Sequence, residues 1–223
     1  MNSALAAAAT LVASAFALST FDRWLRRHRP HDLAWTVSLA MFAIGAAALW
    51  WAESVGWSLG AFRVFYLAGA VLNVPWLALG TVYLLSGQAV GDRVRGGLVL
   101  LSGFATGVVL FAPTRTGASG NELPTGSEVF GVAPRILAAA GSGVAAVVII
   151  GGAVVSAWRA SPRRLVAGNL LIALGTLVLS GSGTIAGRLG KDRAFAITLL
   201  VGICLLFVGF LVATVRLNEA AAK

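Results

Sequence analysis

RVFYLAGAVLNVPWLALGTVYLLSG, residues 63–87, is the stretch that decides how this chain is read. It is an apolar run long enough to cross a bilayer, since a hydrocarbon core of about 30 Å takes about 20 helical residues. Yet it carries Asn73 and Pro75 in its middle. At helical spacing Tyr66, Gly69, Asn73, Trp76, Gly80, Tyr83 and Gly87 fall on one stripe, at steps of three and four. A face that gathers two tyrosines, a tryptophan, an amide and three glycines is a contact face. Pro75 has no N–H, so a regular helix would leave the carbonyl of Val71 without its donor. In hydrocarbon that carbonyl needs another partner, which Asn73 or a neighbouring helix would supply. Asn73 lies ten residues past Arg63, roughly 15 Å along a helix, near the bilayer midplane.

Composition extends the membrane reading to the whole chain. Of 223 residues 58% are hydrophobic and 11% charged, with a mean hydropathy of +0.88; a soluble domain carries about 25% charged residues. Apolar runs at residues 4–20, 33–51, 63–87, 96–112, 135–157, 165–185 and 194–215 predict an all-α membrane protein of seven transmembrane helices, a single domain over residues 1–223. The first run has the length of a signal peptide, but a signal peptide places its positive residues before the apolar core. Here Arg23, Arg26, Arg27 and Arg29 follow it. By the positive-inside rule the N-terminus is expected outside and the C-terminus in the cytoplasm. Eleven of the seventeen Lys and Arg then fall on the inner side, and residues 113–134 form an extracellular loop. The basic loop at residues 187–193 is the exception, lying outside if all seven runs span. The net charge of +9 and pI near 11.4 point to anionic lipid headgroups. Nucleic acid is not an expected partner, because no basic stripe is interleaved with aromatics on a soluble element. The expected location is a cell membrane crossed several times, of the bacterial inner-membrane kind.

An internal echo runs through the chain. ALGTVYLLSG (78–87) in the third run matches ALGTLVLSG (173–181) in the sixth; Asn73 and Asn169 precede them, and Asp92-Arg93 and Asp192-Arg193 follow. Matching elements three spans apart cross in opposite directions, so the echo predicts an inverted repeat of spans 2–4 and 5–7, as in many transporters. In a chain this rich in Ala, Leu, Gly and Val, chance supplies the same match. Small residues such as Gly103 and Gly107 also serve close helix packing in lipid.

The echo names a candidate site between the third and sixth spans: Asn73, Trp76, Thr81, Asn169 and Thr176 as substrate-binding residues, with Pro75 as the helix kink. The alternative for each is structural: Asn73 bonds a neighbouring span, Trp76 fills the core, and Thr176 bonds its own helix. Glu53 and Arg63 flank the short loop between the second and third spans and are candidates for an outer gate.

Absences bound the chemistry. His28 and His31, the only histidines, lie before the second run, Lys191 and Lys223 lie outside the apolar runs, and Cys204 is the single cysteine. No metal site, cofactor or Schiff-base pigment is therefore expected. No run carries a carboxylate at its midplane, which argues against an acidic proton relay, and no catalytic motif is present, so the chain is not expected to be an enzyme. Two functions follow. The first is a small permease or lipid-handling protein, with the bilayer and a small solute or lipid as partners. The second is a non-catalytic membrane subunit or sensor that binds a partner protein through residues 113–134.

Overall fold

Alanine spacing sets the first contact of the fold. In helix α1 (Asn2–Arg27), Ala6, Ala9, Ala13, Phe16, Ala17 and Thr20 are buried at steps of three and four. Side chains this small let α1 lie close along α2 (Pro30–Val55). The hairpin turn is His28 and Arg29, and Pro30 opens α2 at its first position, where a missing N–H costs nothing. Gly56, at φ 95°, ends α2 with its N–H on the Ala52 carbonyl at 2.8 Å.

The computed structural model describes residues 2–115, 120, 122–158, 163–186 and 191–214. After α2, Ser58 caps α3 (Leu59–Phe65) by accepting from the Ala61 N–H at 3.2 Å. A π-helical stretch, Tyr66–Leu72, leads without a break into α4 (Asn73–Ser86), and Gly87 at φ 79° turns the chain into α5 (Gln88–Phe111). A single turn α6 (Gly126–Val129) precedes α7 (Val132–Trp158), α8 (Arg163–Ala186) and α9 (Lys191–Thr214). Among the described residues there is no strand, only the isolated bridges Trp57–Gly120 and Thr114–Phe130.

The long helices close a ring. α1 packs on α2, α2 on α4, α4 on α7, α7 on α8, α8 on α9, and α9 returns to α1. Its interior is filled by side chains such as Phe42, Leu72, Phe195, Leu199, Ile203 and Phe210. α5 stands outside the ring, laid on α4 and touching α7 more slightly.

Side chains facing outward are as apolar as those within: Leu11, Leu18, Leu100, Phe104, Phe111 and Val147 are all exposed. On a soluble protein so broad an apolar surface would be a liability; facing lipid it is the favourable arrangement. Six helical segments are long and apolar enough to cross a membrane: Ser3–Arg27, Pro30–Val55, Leu59–Ser86, Gln88–Phe111, Val132–Ser156 and Ala194–Val212. α8 carries a shorter apolar stretch, Val166–Leu179. The chain is an all-helical bundle compatible with a multi-pass membrane protein. The helices run past the apolar runs of the sequence; α5 begins at Gln88 rather than at residue 96 because Asp92, Arg93 and Arg95 are helical without being apolar.

Bare backbone joins α8 to α9. A methyl on Gly175 would meet the Gly202 carbonyl at 2.9 Å and the Leu206 nitrogen at 3.0 Å, and one on Gly209 would meet the Gly168 carbonyl at 2.8 Å. Glycines seven residues apart on each helix thus form one seam, the contact that lipid-embedded helices use to gain dispersion energy.

Candidate functional site

Buried aromatic rings pack at one end of the ring and an ion pair at the other. On the side of the long loop, Phe130 is fully buried, with ring centroids 5.4 Å from Phe62 and 5.1 Å from Tyr66, and Trp57 stands 6.0 Å from Phe62. The loop is pinned there by the Trp57 N–H on the Gly120 carbonyl at 2.8 Å and the Arg115 N–H on the Val129 carbonyl at 2.9 Å. A capping box between Thr125 and Glu128 fixes α6 beneath it. At the opposite end Arg23 pairs with Asp32, which is fully buried, and His31 Nε2 lies 3.8 Å from the same carboxylate oxygen.

The third span changes pitch where Pro75 requires it. The pyrrolidine ring displaces the carbonyl of residue i−4, and the chain responds by widening the preceding turns: the Asn73 N–H reaches back to the Ala68 carbonyl, a π-type bond. Neighbouring helices then serve the loosened backbone. Ser142 of α7 donates to the Ala70 carbonyl at 2.9 Å. Ser38 of α2 sits 2.9 Å from the Asn73 carbonyl and 2.8 Å from Asn73 Oδ1, sharing its hydroxyl hydrogen between them. Gly141 of α7 faces the kink, where a methyl would make ordinary contact, 3.6 Å from Pro75 Cγ and 3.7 Å from the Val71 carbonyl.

Each residue singled out in the sequence has its own neighbour. Asn73 is buried against Ser38. Trp76 donates from Nε1 to Ser102 Oγ of α5 at 3.2 Å. Thr81 packs on Gly152 of α7, where a methyl would fall 2.5 Å from Thr81 Cγ2. Asn169 donates to Ser156 Oγ of α7 at 2.6 Å, and Thr176 donates to its own helix at the Ile172 carbonyl, 2.8 Å away. The five are thus shared among α2, α5, α7 and α8, and α7 packs on both α4 and α8. Pro75 lines a groove on the outer side of the ring. Glu53 is half-buried, and Arg63 donates to the Ala112 carbonyl at 2.9 Å, tying α3 to the end of α5.

That groove runs beside the kink. It holds about 480 Å³ between α4, α5 and α7, and its walls include Val71, Pro75, Gly97, Leu101, Gly141 and Val148. Such a volume lies within the about 300–1,000 Å³ of small-molecule sites, but the lining is almost wholly apolar side chains. It exists because α5 is held to α4 through Trp76 and Ser102, and to α3 through Arg63, while making little contact with α7. A second space of about 330 Å³ continues the α5–α7 seam toward the long loop, beside Val108, Phe111, Pro113 and Pro134. Neither space holds a group suited to acid–base or nucleophilic work.

Ser38, the groove and buried Asp32 were not singled out by the sequence. The groove's signal was Gly97 and Gly141 inside long helices; that of Asp32 was a carboxylate nine residues past Arg23, across a two-residue turn. Ser38→Ala leaves the buried Asn73 Oδ1 without this donor and is expected to cost about 1–3 kcal/mol. Thermal unfolding in detergent would read this as a lowered midpoint with lipid retention unchanged; an unaltered midpoint would remove Ser38 from the support of the kink. No protein-family model matches the chain, and no curated protein matches it.

Proposed function

We propose that the protein is a lipid-handling membrane protein that seats one acyl chain of a bilayer lipid in the groove between α4, α5 and α7. The carrying observation is the groove's shape and lining. It follows α5 from Val94 to Ala105, eleven steps or roughly 16 Å of helix, and one leaflet of a bilayer is half of about 30 Å. It opens sideways rather than toward water, and an acyl chain is what surrounds such a surface in a membrane. The buried position of Asn73 and the Phe130 plug weigh for this lipid reading over an aqueous permease pathway.

In this reading all seven helices span, α8 included, because the glycine seam carries α9 along it. The N-terminus faces outward, the C-terminus faces the cytoplasm, and the groove opens to the inner leaflet of a bacterial inner membrane. The competing subunit reading draws on the same open face of α5, which would there accept a partner helix.

Filling the groove separates them. A methyl on Gly97 meets nothing within 4 Å, and the same holds for Gly103, which lies on the opposite side of α5. Gly97→Phe should therefore insert a ring into the groove without unfolding the protein. Native mass spectrometry is expected to show lipid carried by the wild type and by Gly103→Phe, and reduced about tenfold in Gly97→Phe. Equal lipid on all three would refute the groove as the site.

A further inference from the structure

We propose that the groove selects an anionic phospholipid, with Arg93 holding its phosphate at the mouth. The inference rests on the lipid reading above and adds the headgroup. Val94 is the groove's outermost residue on α5. From there the wall continues as Gly97, Leu98, Leu101 and Ala105 on one side of the helix. Arg93 and Arg95 are the chain neighbours of Val94, so at about 100° per residue their side chains leave α5 on the two flanks of that wall.

The two arginines are not equivalent. Arg95 Nη2 lies 3.3 Å from Asp92 Oδ1, and the same oxygen accepts the Tyr83 hydroxyl at 2.8 Å. Asp92 and Arg95 therefore neutralise one another while tying the start of α5 to α4. Arg93 is exposed, and among the described residues it forms no ion pair. One positive charge is left over at the mouth. A phosphate diester is a partner that this guanidinium can grip through two N–H donors. Room for the glycerol is present: a methyl built on Gly97, in the groove wall, meets nothing within 4 Å. The positive-inside tendency accounts for basic residues at one end of a helix, but not for an apolar groove that ends between them.

The test is lipid competition in mixed bilayers. Protein extracted from nanodiscs of equimolar phosphatidylglycerol and phosphatidylcholine, matched in acyl chains, is analysed by native mass spectrometry. The wild type should carry phosphatidylglycerol over phosphatidylcholine by about fivefold, the effect of one basic residue at a membrane surface. Arg93→Gln should carry as much lipid in total with the preference gone, while Arg26→Gln, which alters the distant exposed pair with Asp22, should keep it. Lipid without a headgroup preference in the wild type, or a preference that survives Arg93→Gln, would overturn the inference and leave the groove reading standing. A wild type that carries no lipid would overturn both. Excess inorganic phosphate should not displace the lipid preference; if it does, the site binds a free anion and the lipid assignment falls.

Discussion

Asp32→Ala should remove a large part of the protein's stability. Asp32 is fully buried, and its carboxylate holds the guanidinium of Arg23, which also lies over the Phe210 ring at 4.3 Å from its centroid. One ion pair thus joins α1, α2 and α9. Around it, Thr36 donates to the Asp32 carbonyl at 2.8 Å and approaches the Thr20 hydroxyl at 3.0 Å. Asp32 Oδ2 and Arg23 Nε have no hydrogen-bond partner among the described residues. Deleting one member of a buried pair strands the other and costs about 3–5 kcal/mol, against a total stability of about 5–15 kcal/mol. Unfolding followed in detergent should show this as a steep fall in midpoint and in folded yield. The double replacement Arg23→Met with Asp32→Leu should recover most of the loss, because both charges leave together. A loss under about 1 kcal/mol for Asp32→Ala alone would mean that the pair does not fasten the ring.

Gly175→Val is the second large effect expected. The obstruction at this position is main chain: the Gly202 carbonyl and the Leu206 nitrogen stand 2.9 and 3.0 Å from where a Cβ would be. Backbone cannot rotate aside as a side chain does, so α8 and α9 must separate along the seam. Overpacking costs about 1–3 kcal/mol and occasionally more; with Gly168, Gly202 and Gly209 pulled apart as well, the upper end is expected. Gly103→Val, on the open face of α5, should cost far less. Equal behaviour of the two variants in thermal unfolding would show that the seam is not a close contact in the membrane.

Much of the architecture was legible because apolar length is a strong signal. The interruption at Asn73 and Pro75 was legible too, since only a few responses to a mid-span proline exist in lipid. The response itself was not. Widening into a π-helical stretch depends on Ser38 and Ser142 arriving from α2 and α7 at the right height, and a serine in an apolar helix gives no sign of which carbonyl it will meet. The stripe from Tyr66 to Gly87 is a contact face in parts: Tyr66 meets Phe130, Asn73 meets Ser38, Gly80 receives Trp35, and Tyr83 covers Gly91. Its members face different helices because this segment packs on α2 and α5 at once: Gly69, Asn73 and Gly80 meet α2, and Trp76 and Tyr83 meet α5. The echoed glycines likewise meet different neighbours, Gly80 the Trp35 indole of α2 and Gly175 the backbone of α9. Arg23 read as a topology charge because its partner sits across a turn, where hydropathy records a loop rather than a buried pair.

Photocrosslinking reads the seat of the acyl chain residue by residue. A phospholipid with a diazirine along one acyl chain, irradiated in bilayers with the wild-type protein and mapped by peptide mass spectrometry, marks the residues that hold the chain longest. If the groove seats an acyl chain, adducts should concentrate on residues 94–105 and 140–148, and Gly97→Phe should disperse them. Adducts spread evenly over the groove and over plain lipid-facing positions such as Leu11 and Leu18 of α1 would contradict the account.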